Sequence, residues 1–218
     1  MTNTPSANSK KKITTHLIRA RKGTSERLVA ITAYDFTFAR LVDDLVDIVL
    51  VGDSLGMVIQ GEPNTLSVTL DEMIYHSRAV SRALSHAHLV VDMPFMTYQV
   101  DTKEAVRNAG RLLSEGKAEA VKIEGGTSVS SIVEKLVKFG IPVMGHIGLT
   151  PQSVHAFGGY KIQGKTESAR NSILQDALAL EDAGVYSIVL EGIPSDLGKA
   201  ITERVKIPTI GIGAGPHC

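Results

Sequence analysis

Short apolar runs alternate with stretches in which apolar residues recur every three or four positions, from about residue 13 to the end of the 218-residue chain. The short runs predict strands near 29–34, 48–52, 89–93, 120–123, 142–148, 187–190 and 208–213. Between them, Ala105, Ala109, Leu112 and Leu113, and then Ala169, Ile173, Ala177 and Leu180, carry helical spacing. Thr69 with Glu72, and Asp101 with Glu104, have the spacing of an N-cap oxygen and a third-residue acid. Gly140 before Pro142, and Gly184, are expected to close helices. The order is strand then helix throughout. The polar stretch 1–12 is expected to be a disordered arm and 13–218 a single domain, without repeats or a linker. The long connection 150–165, with Pro151, Gly158, Gly159 and Gly164, is expected to be a loop over a site.

Alternating strands and helices build either an open doubly wound sheet or a closed (β/α)8 barrel. Asp35, Asp53, Asp92, Glu124, His146 and Glu191 each stand at or just beyond the end of a different predicted strand. A barrel gathers such ends at one mouth, whereas an open sheet concentrates its contacts near one switch point. The reading is therefore a TIM-type barrel, with the chain stopping after the seventh predicted strand, at "GIGAGPHC", where an eighth unit is expected.

The segment "AVKIEGG" puts Lys122 and Glu124 on one face of a strand that otherwise reads as buried. Together with "VGDSLG" and "VVDMPF" it supplies three acids, for which a hard divalent cation such as Mg2+ is the simplest partner. Each acid alone is more simply a helix cap. Lys122 could hold an anionic carboxylate or serve as a Schiff-base amine, or simply pair with an acid; neighbouring carboxylates favour the charged, anion-binding role. Glu191, in "VLEGIP", is a candidate base for removing a proton from carbon, with a cap as its ordinary alternative. His146 could polarise a substrate, while His86 and His88 are expected at a helix end.

Lys and Arg number 23 and Asp and Glu 23, so charge gives no reason to expect nucleic acid or an anionic membrane as a partner. The basic cluster Lys10 to Lys12 with Arg19, Arg21 and Lys22 reads as a solvated face. No apolar run is long enough to span a bilayer and the first residues lack the apolar segment of a signal peptide, so the cytoplasm is the expected compartment. Cys218 is the only cysteine, which leaves oxygen and imidazole as metal ligands. "GYKIQGKT" satisfies the P-loop pattern, but no buried strand precedes it, and "GIGAG" lacks the following helix of a dinucleotide loop.

In order, "ITAYD", "VLVGDSLGMVIQG", "TLSVTLDEMIYH", "VVDMPFM", "VKIEGG", "GHIGLTPQSV", "FGGYKIQGKT", "DALALEDAG" and "IPTIGIGAG" resemble the ketopantoate hydroxymethyltransferase family. The resemblance implies a (β/α)8 barrel that moves a one-carbon unit from 5,10-methylenetetrahydrofolate to 3-methyl-2-oxobutanoate. It implies Mg2+ at Asp53 and Asp92, with Glu124 completing the site directly or through water. It further implies that Asp53, Ser54, Asp92 and Lys122 hold the oxo acid, that Glu191 is the proton acceptor, and that the assembly is a decamer. Such an oxo acid would chelate the metal, which would stabilise the enolate left when Glu191 takes the C3 proton. Competing readings are a metal-independent Schiff-base aldolase using Lys122, a non-catalytic truncated barrel that only binds, and a nucleotide site at Lys165.

Overall fold

The structure, a computed structural model, describes residues 10–218; most of the expected arm, 1–9, lies outside the described residues. Among them, β1 (Ala30–Thr32), β2 (Ile48–Val51), β3 (His88–Asp92), β4 (Ala120–Glu124), β5 (Val143–Gly148), β6 (Ser187–Glu191) and β7 (Thr209–Ile212) form one all-parallel sheet in chain order. The helices are α1 (Thr15–Ala20), α2 (Phe36–Val42), α3 (Leu55–Val58), α4 (Leu70–Ser81), α5 (Thr102–Ser114), α6 (Ser130–Lys138), α7 (Val154–Phe157), α8 (Glu167–Ala183) and α9 (Ser195–Arg204). This is a barrel of parallel strands wrapped by helices, open between β1 and β7, each of which has one strand neighbour.

Strands β2 to β6 are buried on both faces because each face meets a different core, whereas β1 and most of β7 are exposed at the open edges. Val49, Val51, Leu89, Val91, Val121, Ile123, Val143, Ile188 and Leu190 pack with the helices. The alternating set Ile48, Val90, Ala120, Met144 and Val189 fills the barrel interior with Ile13, Ile18 and Tyr186. Each fully buried Val, Leu or Ile side chain contributes about 1.5–3 kcal/mol. Continuing the interior set by two-residue steps brings Asp92, Lys122, Glu124, His146 and Glu191 to the C-terminal end of the same face. Register completes their placement: Asp92 lies opposite Lys122, Glu124 opposite His146, and Gly148 opposite Glu191.

Local signals set the helix ends. Thr69 and Glu72 form both halves of a capping box at α4, and Asp101 accepts from Glu104 N at 2.8 Å before α5. Gly184 ends α8 at φ +97°, a left-handed conformation that a side chain would strain.

Three expectations need correction. His88 is not at a helix end: it starts β3, is buried, and its Nδ1 lies 3.3 Å from Glu119 Oε2. Asp35 does not join the acids at the mouth; it caps α2, accepting from Phe38 N at 2.8 Å. The 150–165 connection is structured at its start, with a 3-10 turn at Pro151–Ser153 leading into α7, because Pro151 presets φ at the first helical position.

Candidate active site

Lys122 Nζ lies 2.8 Å from Asp92 Oδ1 and 3.2 Å from His146 Nδ1, with all three residues buried. Asp92 Oδ2 accepts from the backbone N of Asp53 at 3.1 Å, which links the end of β3 to the turn after β2. Glu124 Oε1 is 3.5 Å from His146 Nδ1, and His146 Nε2 is 3.1 Å from Glu191 Oε2. Nδ1 thus faces both the Lys122 ammonium and the Glu124 carboxylate, and Nε2 faces Glu191. A connected chain runs Asp53, Asp92, Lys122, His146, Glu191, across β2 to β6.

Burial, and then the Asp92 and Glu124 charges, push the Asp53 carboxyl up to about 8. Asp92 is also raised by its burial, against the opposing pull of Lys122. Burial lowers the proton affinity of Lys122, but Asp92, Glu124 and Asp53 outweigh it, so the ammonium is held above its ordinary value. Glu124 is lowered: burial opposes this, and the His146 contact and the Lys122 charge prevail. Burial and Lys122 push His146 down, while hydrogen bonding to Glu124 and Glu191 more than compensates and raises it.

Gln152, in the turn after β5, was not singled out by sequence reading. Its Nε2 donates to Asp53 Oδ2 at 2.8 Å and to Met93 O at 2.9 Å, and its backbone N donates to Glu124 Oε2 at 2.9 Å. Tyr98 was also missed; its hydroxyl lies 2.8 Å from Gln152 Oε1 and 3.0 Å from Glu124 O. Only the polarity of Gln152 beside a proline marked it in the sequence, and loop residues are commonly polar. Ser54 Oγ pairs with Tyr34 Oη at 2.8 Å at the edge of the site, so it stands beside Asp53 but makes no bond to the other acids.

Two glycines let this packing close. A Cβ at Gly52 would fall 2.7 Å from Ser54 Oγ and 3.4 Å from Asp92 Oδ2. One at Gly148, with φ +93°, would fall 2.3 Å from Glu191 O.

Asp53, Asp92 and Glu124 set three carboxyl groups against one ammonium, and they fit a hard divalent cation by donor chemistry: all oxygen, all buried, with the raised Asp53 and Asp92 marking a need for positive charge that Lys122 alone does not meet. Among the described residues no group of three or more His, Cys, Asp or Glu side chains is already gathered into a metal cage, and Lys122 and Gln152 bond oxygens of Asp92 and Asp53. The P-loop-like segment follows α7 and a left-handed Gly158 rather than a buried strand. An open groove of about 770 Å³ lies elsewhere, along the unpaired edges of β1 and β7, and includes none of these acids.

Ionisable side chains from successive strands, meeting at the C-terminal end of a parallel α/β barrel, define the class as a barrel enzyme. The sequence pattern of ketopantoate hydroxymethyltransferase matches residues 12–218, and the chain belongs to that family. It is 59% identical over 210 residues to 3-methyl-2-oxobutanoate hydroxymethyltransferase of Pelobacter propionicus, covering 96% of this chain and 78% of that one. The namesake of Geobacter metallireducens is 54% identical, covering 92% and 76%, and that of Anaeromyxobacter dehalogenans 56%, covering 96% and 70%. Among solved structures, phosphonopyruvate hydrolase in complex with oxalate and Mg2+ has a similar fold, with TM-score 0.69 at 12% identity over 92% of this chain and 72% of that one. 2,3-Dimethylmalate lyase, a PEP mutase/isocitrate lyase superfamily member, matches with TM-score 0.62 at 14% identity over 89% and 70%. At such identities these two matches establish the barrel fold alone.

Proposed function

We propose that this chain carries out its family's reaction, transfer of a hydroxymethyl group from 5,10-methylenetetrahydrofolate to 3-methyl-2-oxobutanoate to give 2-dehydropantoate, a step of pantothenate biosynthesis. The observation that carries the site assignment is the Asp92–Lys122–His146–Glu191 chain, buried from Asp92 to His146 and partly exposed at Glu191. Lys122, held protonated by its acids, binds the carboxylate of the oxo acid. Ser54 and Asp53, at the turn after β2, flank that position. Glu191 takes the C3 proton, and His146 Nε2 aims and steadies its carboxylate. Asp53 and Asp92, with Glu124 directly or through water, would hold Mg2+. When bound, the ion supplies positive charge against the charge that develops on the keto oxygen. C3 then bonds to the methylene carbon supplied by the folate, the bonds from that carbon to the folate nitrogens break to release tetrahydrofolate, and water supplies the hydroxyl oxygen and, with the C3 proton, the protons the nitrogens take up.

The Lys122–Asp92 contact argues against a Schiff-base aldolase, because imine formation needs a free amine and this one is kept as ammonium. A homo-oligomer, a decamer as in the family, belongs to the same proposal; exposed Phe36 and Leu41 on α2, and Leu45 just beyond it, support assembly. A cytoplasmic location belongs to the same proposal. Among the described residues no helix is long and apolar enough to cross a membrane.

The test is deuteration of C3 of 3-methyl-2-oxobutanoate in D2O, followed by proton NMR, which reads proton removal without the folate. Exchange is expected with Mg2+, to be abolished by EDTA, and to fall at least about 100-fold in Glu191→Gln. Exchange that survives EDTA, with borohydride trapping at Lys122, would replace this reading by the Schiff-base one.

A further inference from the structure

Gln152 is a buried amide, and a buried polar group is costly unless it is hydrogen-bonded. Each of its polar groups is committed instead to the acid cluster or to what surrounds it. Nε2 has two hydrogens and finds two acceptors, Asp53 Oδ2 at 2.8 Å and Met93 O at 2.9 Å. Oε1 faces the Tyr98 hydroxyl at 2.8 Å and Gln99 Nε2 at 3.1 Å. The backbone N holds Glu124 Oε2 at 2.9 Å. The orientation of the amide is fixed by its partners: a carboxylate and a carbonyl can only accept, so nitrogen must face them.

One residue therefore ties together the turn after β2, the end of β3 and the end of β4. Asp53 and Glu124 come from strands that are not sheet neighbours, and no direct hydrogen bond between them is present among the described residues. Their separation depends on what spans the mouth, and Gln152 bonds both. A Pro151-initiated 3-10 turn sets its backbone, so both donors are positioned before any ligand arrives.

We infer that Gln152 is a positioning residue that holds the Asp53 and Glu124 carboxylates in register for a divalent cation, and that it acts on cation affinity without touching the oxo acid. This rests on the proposed cation role of those acids. Gln152→Leu keeps the backbone donor and approximate volume while removing both side-chain donors to Asp53 and Met93. Gln152→Glu keeps the shape and replaces a donor by a negative charge.

The experiment measures Mn2+ binding alone, by electron paramagnetic resonance, on the full chain and both variants, with circular dichroism and thermal melting to register folding. Mn2+ binding about 10- to 100-fold weaker in Gln152→Leu, and weakened in Gln152→Glu, is expected, as for loss of a group that orients a ligand. Exchange at C3 in the Leu variant should return towards the parent rate as Mn2+ is raised. Val133→Ala, in the helix-side core on α6, serves as a control that lowers melting temperature without moving Mn2+ affinity. Parent-like affinity in a folded Gln152→Leu would overturn the inference alone. No Mn2+ binding by the parent chain would overturn the cation reading and this inference with it. A fall in affinity matched by Val133→Ala at equal loss of stability would make the role of Gln152 merely structural and overturn the inference.

Discussion

Asp92 and Lys122 lie opposite each other on adjacent strands, and their side chains meet at 2.8 Å with about 5% of each exposed. Removing one member of such a pair leaves a buried charge uncompensated, which typically costs 3–5 kcal/mol. Lys122→Met should lower unfolding free energy at pH 8 by about 3 kcal/mol. Adding Asp92→Asn should recover most of that loss while activity stays abolished, since neither the carboxylate-binding cation nor the acid is restored. Urea unfolding of the four members of this double-mutant cycle checks it.

The raised Asp53 pKa, about 8, makes stability of the cation-free protein pH-dependent. An acid that holds its proton more tightly folded than unfolded contributes stability that is complete below its unfolded value, near 3.8, and lost as pH rises through about 8. Asp92 shifts in the same direction and adds to the trend. In EDTA the urea midpoint should therefore fall between pH 5 and pH 8. In Mg2+ the fall should be smaller, because a bound cation favours the ionised acids. An EDTA profile flat across that window would contradict the electrostatic account.

Buried His146 lies beside the partly exposed Glu191, with Nε2 3.1 Å from Oε2. His146→Asn shortens the side chain and removes the ring nitrogen beside Glu191. The C3 exchange rate should drop by about 10- to 100-fold with little change in KM, since a small misplacement of a reacting group is costly while the substrate carboxylate still finds Lys122. A KM effect of equal size would assign His146 to substrate binding instead.

The segment resembling a P-loop predicts nothing about nucleotides, because its glycines follow α7 and not a buried strand. ATP at millimolar concentration should produce no heat in titration calorimetry, and Lys165→Ala should exchange C3 at the parent rate. ATP binding lost in Lys165→Ala would reinstate the nucleotide reading.

Asp43 holds the turn that delivers β3 to the sheet. Its carboxylate accepts from Ser85 N at 2.7 Å, Ser85 Oγ at 2.7 Å, His86 N at 3.0 Å and Ala87 N at 2.9 Å. Burial raises its pKa, but these donors prevail and lower it, so its stabilisation is present above the unfolded value and lost as pH falls through the folded one. Asp43→Ala leaves backbone donors unpaired and should cost about 2–3 kcal/mol at neutral pH, measured by chemical denaturation. The difference from the parent should shrink in acid.

Short continuous apolar runs with helical spacing between them are enough to place the strands within a few residues, because a parallel strand buried on both faces has few sequences open to it. Asp53, Asp92, Lys122, Glu124 and Glu191 were legible as candidates because ionisable residues on or just after such strands stand out against their neighbours. The sequence likewise carried the capping box at Thr69, whose two partners are three residues apart. Tertiary structure alone decided which acids converge. Asp35 has the same sequence setting as Asp53, yet it caps α2, whereas Asp53 is drawn in by Gln152, 99 residues away along the chain. The same holds for the His146–Glu191 contact, which depends on strand register, and for Gln152 itself, a polar loop residue among others until the barrel closes over it. Local preference is written in neighbouring residues; a contact between distant ones exists only once the sheet has curled and burial has made each unpaired polar group costly.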